Sequence, residues 1–154
     1  MTGTSPSPFS WVDDESGGVP SMAVQGGAEA DGKPLFVGRG EYKGGMHVGK
    51  VSPYWKGLLI AYGDKEVKLK KYQVLVGDAQ RLRWVPCHGT ALPEDWTPVE
   101  GGYESDGTPL FIAKAKIEGG QHIGKAGTHL IGGMAVAYGS KSIVMEDYSI
   151  LAYL

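Results

Sequence analysis

GGMHVGK, residues 44–50, and GGQHIGK, residues 119–125, decide how the rest of the chain is read. Both satisfy G-x-x-x-x-G-K, the pattern of a phosphate-binding loop, and an α/β nucleotide-binding fold would follow from it. A working loop needs a Ser or Thr after the lysine to hold magnesium, a buried strand before it, and a helix after it whose N-terminus meets the phosphates. Here Val51 and Ala126 follow the lysines, and then SPYWKG and GTHLIGG, too rich in Gly and Pro to start a helix. The motif reduces to a G-G turn followed by a G-K pair, and nucleotide binding is set aside. Its duplication is the informative part.

Placing Asp31 on Asp106, an offset of 75, also places Gly26-Gly27 on Gly101-Gly102, Glu29 on Glu104, Pro34-Leu35-Phe36 on Pro109-Leu110-Phe111, His47 on His122 and Gly49-Lys50 on Gly124-Lys125. The offset then grows by one, so that Ala61-Tyr62-Gly63 meets Ala137-Tyr138-Gly139 and Tyr72 meets Tyr148. Upstream, Trp11-Val12 recurs as Trp84-Val85, with Pro20 and Pro93 at the same interval beyond. One unit is written twice. The expected organisation is a polar lead-in over residues 1–10, a first repeat over 11–76, a linker over 77–83 and a second repeat over 84–154.

With 25 Gly and 9 Pro in 154 residues, punctuation falls too often for long helices, and short strands joined by turns are expected. PLFVGRG and PLFIAKA are β-prone runs after a D-G-x-P turn, and LLIAYG and MAVAYG are apolar runs ending at glycine. In YSILAYL, Tyr148, Ile150, Ala152 and Leu154 fall on one face of a half-buried strand. EVKLKKYQVLV changes parity after Leu69, which favours a strand with a bulge or a break over a short helix. The fold class is all-β, two pseudo-symmetric tandem repeats forming a sandwich or barrel-like single globule.

No apolar run reaches the roughly 18 residues of a membrane-spanning helix, and the N-terminus lacks the basic start and apolar core of a secretory signal. A soluble protein is expected, cytoplasmic or secreted by a route without a signal peptide. A formal net charge of -2 lacks the field that basic nucleic-acid binders use, so nucleic acid is not an expected partner. Cys87 is the single cysteine and reads as a structural thiol; with His88 it is placed in the linker, without a counterpart in the first repeat.

The polar residues that recur are Glu29/Glu104, Asp31/Asp106, His47/His122 and Lys50/Lys125, beside Tyr62/Tyr138 and Tyr72/Tyr148. Each has an ordinary structural reading. The aspartates can fix a D-G turn, the lysines can be solvated strand ends, the histidines can be packed and hydrogen-bonded, and the tyrosines can be core residues with a bonded hydroxyl. Two histidines without further ligands at metal spacing make no zinc site, and no dense set of acidic oxygen ligands suggests calcium. Glu29 and Asp31 have the residue types of a glycosidase pair, but neighbours in a glycine-rich turn are expected to be exposed and ionised, and no Ser, His and Asp set recurs, so no enzyme and no cofactor is expected. The functional reading joins carboxylate and lysine. A carboxylate accepts from sugar hydroxyls, an ammonium donates to sugar oxygens, and an aromatic ring covers an apolar sugar face. Trp55 is a candidate ring, although its counterpart is Leu130, which confines it to one site.

The WV pair near each start, E-x-D-G-x-P-L-F, G-G-x-H-[VI]-G-K, A-Y-G and the tyrosine of the last strand, in that order and twice over, resemble the DM-nine repeat family from Trp11 onward. The resemblance implies an all-β fold of two repeats and, as in invertebrate members, a mannose-recognising lectin that acts as a microbial pattern receptor. It further implies sugar contacts from an acidic residue of the D-G turn and the lysine of the G-K pair, here Glu29 or Asp31 with Lys50, and Glu104 or Asp106 with Lys125. The expected partner is mannose or a mannose-containing glycan on a microbial surface, with a homodimer raising avidity. The alternative is a non-catalytic β-repeat interaction module that binds no sugar. Lys33 against Thr108, and Lys43 against Glu118, are changes that would make two sites unlike.

Overall fold

The computed structural model describes residues 8–154, and residues 1–7 of the expected lead-in lie outside the described residues. The first half contributes β1 (Phe9–Glu15), β2 (Gln25–Ala28), β3 (Pro34–Tyr42), β4 (Gly45–Ser52), β5 (Gly57–Tyr62), β6 (Lys65–Leu69) and β7 (Lys71–Gly77). The second contributes β8 (Leu82–His88), β9 (Glu100–Tyr103), β10 (Pro109–Ile117), β11 (Gly120–Ala126), β12 (Met134–Tyr138), β13 (Lys141–Met145) and β14 (Asp147–Tyr153). A single 3-10 turn, Ala79–Arg81, joins the halves. β1 and β8 begin two residues ahead of the expected unit starts Trp11 and Trp84. Among the described residues no helix is long and apolar enough to cross a membrane.

Each half has the same pairing scheme. β1 lies against β7 and β7 against β3, as β8 lies against β14 and β14 against β10. The first glycine of each opening motif, with the residue before it, forms the hairpin turn between β3 and β4 and between β10 and β11, and the second glycine begins the next strand. Lys43 and Gly44 have φ of 48° and 84°, and Glu118 and Gly119 have 47° and 88°. Two consecutive positive φ values define the type I′ turn, whose twist matches that of the flanking strands and whose second position favours glycine.

The halves then exchange strands. β2 pairs with β3 of its own half and with β11 of the other, and β9 pairs with β10 of its own half and with β4 of the other. The β5–β6 and β12–β13 hairpins meet through Lys65 and Lys141. Following neighbours from β3 through β2, β11, β12, β13, β6, β5 and β4 returns to β3, which closes an eight-stranded barrel, with the remaining strands extending the sheet to fourteen.

The apolar residues sort accordingly. Val24, Val37, Val48 and Leu75 from the first half meet Val99, Ile112, Ile123 and Leu151 from the second in one shared core. Val51, Leu58, Ile60, Tyr72 and Val74 form a core private to the first half. Phe111, Met134, Val136, Tyr148 and Ile150 form its counterpart in the second. Strands that lie between a shared and a private core are covered on both faces, which explains why β4 is buried along its whole length.

The same arrangement corrects the reading of YSILAYL. Tyr148, Ile150 and Ala152 are buried as expected, but so is Leu151, which turns to the shared core, and Leu154 is exposed beyond the strand end. EVKLKKYQVLV is two strands, β6 and β7, broken at Lys70. Cys87 and His88 belong to β8, where they oppose Tyr148 and Asp147, and their counterpart in the first half is the end of β1.

Candidate functional site

The lysines of the two G-K pairs are not solvated strand ends. Lys50 is 2% exposed and Lys125 6%, because β4 and β11 are covered on both faces. The preceding glycines make this possible. A methyl group at Gly49 would sit inside the Leu59 carbonyl of β5, and one at Gly124 inside the Ala135 carbonyl of β12. The neighbouring backbone therefore closes over the strand only where no side chain intervenes.

Each buried ammonium meets a histidine of the other repeat. Lys50 Nζ donates to His122 Nδ1 at 2.8 Å, and Lys125 Nζ to His47 Nδ1 at 3.0 Å. With Nδ1 accepting, each ring is the neutral tautomer carrying its proton on Nε2. Burial and the adjacent ammonium push both histidines down to about 4, a hydrogen bond with the Tyr42 backbone opposing the shift at His47. Burial likewise lowers Lys50 to about 8, against the pull of Glu66 and Glu29, and lowers Lys125 against the pull of Glu104.

Tyrosine rings complete the pairs. Tyr138 stands edge-on to His122 with centroids 4.9 Å apart, and Tyr62 edge-on to His47 at 5.2 Å. Lys50 Nζ lies 5.5 Å from the Tyr138 ring and 5.2 Å from Trp55, and Lys125 Nζ lies 5.5 Å from Tyr62. Rings at this range stabilise an ammonium that has lost most of its water.

Above Lys50 opens a cleft of about 530 Å³ to which Glu29, Tyr54, Trp55, Glu66, Lys68, His122 and Tyr138 all contribute. Glu29, His122 and Tyr138 also face an adjoining recess of about 280 Å³, with Asp31 and Glu118 on its other side. Glu118 accepts a hydrogen bond from the Tyr138 hydroxyl at 2.6 Å. Lys50 and Glu29 thus share one cleft.

Asp31 is differently placed. Its carboxylate accepts from the Lys33 backbone N–H at 3.0 Å and pairs with Lys33 Nζ at 3.3 Å, and these contacts hold it below the usual carboxylate range. Asp106 accepts from both the backbone N–H and the hydroxyl of Thr108, at 3.0 and 2.7 Å. Both aspartates brace the D-G turn. On the Lys125 side, Glu104 accepts from His129 Nε2 at 2.7 Å.

The histidines and the Tyr62/Tyr138 pair stood out in the sequence by their recurrence, but nothing local said that each serves the lysine of the other repeat. Glu66 and Lys68 had no signal, since Ser142 and Val144 replace them in the second repeat. The Tyr72 and Tyr148 hydroxyls are spent on structure, donating to the Gly18 carbonyl at 2.8 Å and the Gly89 carbonyl at 2.6 Å. Burial pushes the Cys87 thiol up, the opposite of what a nucleophile needs. Among the described residues no group of three His, Cys, Asp or Glu side chains could hold a metal ion.

A family model described as DM9 repeat matches residues 1–69 and 56–145. The chain belongs to the DM9 repeat family. No curated protein sequence matches this member of the family. A solved structure, that of the nematode sperm cell motility protein MFP2B, resembles it with a TM-score of 0.66 at 15% sequence identity, over 94% of this chain and 46% of that one. At such identity the likeness is one of fold. The DM9 chain described here spans about half the length of that motility protein.

Proposed function

We propose that this DM9 repeat protein is a carbohydrate-binding lectin of mannose type that works without calcium, without catalysis and without a cofactor. It recognises mannose-containing glycans on microbial surfaces in a pattern-recognition role. The observation that carries the reading is the state of the two ammonium groups. An ammonium has three donors; one of each is committed to a histidine Nδ1, and the others lie among aromatic rings beside a glutamate. Donors at the base of a cleft, an acceptor-only carboxylate on its wall and a ring beside both are what a hexose requires. Glu29 and Glu104 are the acidic sugar contacts in this reading, while Asp31 and Asp106 act through the turn. Two shallow sites per chain bind weakly one at a time, and a homodimer would raise avidity on a dense glycan surface.

Calorimetric titration with mannose in the presence of EDTA tests this, with a folded Lys50→Ala/Lys125→Ala variant alongside. The lectin reading requires saturable binding to the wild type and none to the variant. Burial of the lysines favours one competing reading, a β-repeat interaction module in which the ammonium groups only hold the two repeats together. A flat titration across a monosaccharide panel, with altered folding or self-association in the variant, would establish that alternative.

A further inference from the structure

Lys50 is almost wholly buried, yet it lines the cleft of about 530 Å³ together with Leu59, Trp55 and Tyr138. It is in register with Leu59 of β5, and partners in register present their side chains on one face. A leucine rather than water therefore lies beside the lysine stem. Its Nζ stands 5.2 Å from the Trp55 ring and 5.5 Å from that of Tyr138. An amine taken out of water favours its uncharged form, which has a lone pair to give, and here burial outweighs the pull of Glu66 and Glu29 on the charge.

The direction of that lone pair follows from His122. The ring Nδ1 is an acceptor, so one N–H of the amine is held toward it at 2.8 Å. The lone pair cannot point at the same atom, and it is left with the other N–H for the cleft. Glu29, just past the end of β2, and Glu66 on β6 line the same space. A nucleophilic nitrogen thus shares a cavity of small-molecule size with two acceptor-only carboxylates. A hydroxylated carbonyl compound answers both, with an electrophilic carbon for the nitrogen and a hydroxyl for the carboxylates.

We propose that Lys50 is a covalent capture site for short α-hydroxyaldehydes, which it holds as a reversible imine. The uncharged Nζ adds to the aldehyde carbon, a C–N bond forms, and the carbonyl π pair passes to oxygen. The proton that nitrogen sheds reaches that oxygen through Glu29 or Glu66, giving a carbinolamine. Nitrogen then gives up its second proton, and the hydroxyl departs with a proton as water while C=N forms. Both amine protons and the carbonyl oxygen leave together, so the step draws on no oxidant or reductant. It needs the cleft and its amine but not the sugar-binding role, and either reading stands without the other.

The test incubates the full chain at pH 7.5 with glyceraldehyde and cyanoborohydride, which reduces an imine to a stable secondary amine, and quantifies the label on each lysine by peptide mapping. With Lys50 lowered to about 8, about a quarter of it is uncharged at this pH, against about one in a thousand for an ordinary lysine. Lys50 is expected to label faster than the exposed Lys116 and Lys141 by roughly tenfold or more, and faster with glyceraldehyde than with propanal, which has no hydroxyl. The advantage should vanish in urea, where the cleft is gone, and no other lysine should inherit it in Lys50→Arg. If that variant does not fold, the comparison among lysines of the wild type decides alone. Label confined to exposed lysines, or falling in place of Lys50 on Lys68, which is exposed at the same cleft, would overturn the proposal. So would an advantage that survives urea. Equal labelling by propanal would overturn the assignment to hydroxylated aldehydes.

Discussion

A lysine and a histidine buried as a pair make the fold sensitive to pH on both sides of neutrality. Each histidine titrates at about 4 in the folded protein against 6.5 when unfolded, so between these values the unfolded chain binds more protons and stability falls as pH falls. The loss is on the order of 3 kcal/mol per histidine by pH 4. Lys50 acts in the alkaline range with the same sign. Its folded value of about 8 against 10.5 means that stability rises as pH climbs between them, because the buried ammonium gives up its charge. Urea unfolding at pH 7 and pH 4.5 should show a lower midpoint in acid, and a His47→Gln/His122→Gln variant should flatten that difference. An equal acid loss in the variant would place the titrating groups elsewhere.

At the scale of the element, the hairpins and the sandwich or barrel-like class were open to sequence reading, and the order of strands that closes the barrel was not. D-G-x-P turns, G-G pairs and β-prone runs specify β3–β4 and β10–β11 from a few neighbouring residues, since a type I′ turn needs positive φ at two adjacent positions and glycine supplies one of them. Lys43 supplies the other at φ 48° without glycine's freedom. Lys43→Asn should therefore stabilise the protein by several tenths of a kcal/mol up to about 1, read as a rise in melting temperature. No rise would show that the Lys43 contacts with Tyr42 and Tyr62 offset the backbone strain. What local pattern does not encode is which strand β2 and β9 choose as a second neighbour. For the same reason the lysines looked like strand ends. Periodicity reports one covered face, but β4 and β11 are covered on both because strands distant in sequence close over them, and Lys50 meets His122 across 72 positions of chain. Glu66 and Lys68 escaped notice for a simpler reason, having no copy in the second repeat to draw attention to them.

For the whole molecule, the shared core and the exchanged strands predict that the repeats do not unfold independently. Val37 and Val48 pack with Ile112 and Ile123, and each half supplies an edge that the other needs. Calorimetry should give one transition with equal van't Hoff and calorimetric enthalpies, and Ile112→Ala should shift that single transition, at a cost of about 2–5 kcal/mol, without splitting it. Two resolved transitions would mean that the private cores suffice. The borrowing of His122 by Lys50 and of His47 by Lys125 has a further consequence for how such a molecule can diversify. Two identical, unjoined repeats associating in this way would own two identical clefts, and every substitution would appear in both. Fusion into one polypeptide breaks that bond: Trp55 can stay while its twin becomes Leu130, and Lys68 while its twin becomes Val144. One polypeptide then carries two unlike settings of the same buried pair, each free to change on its own while both remain locked into a single body.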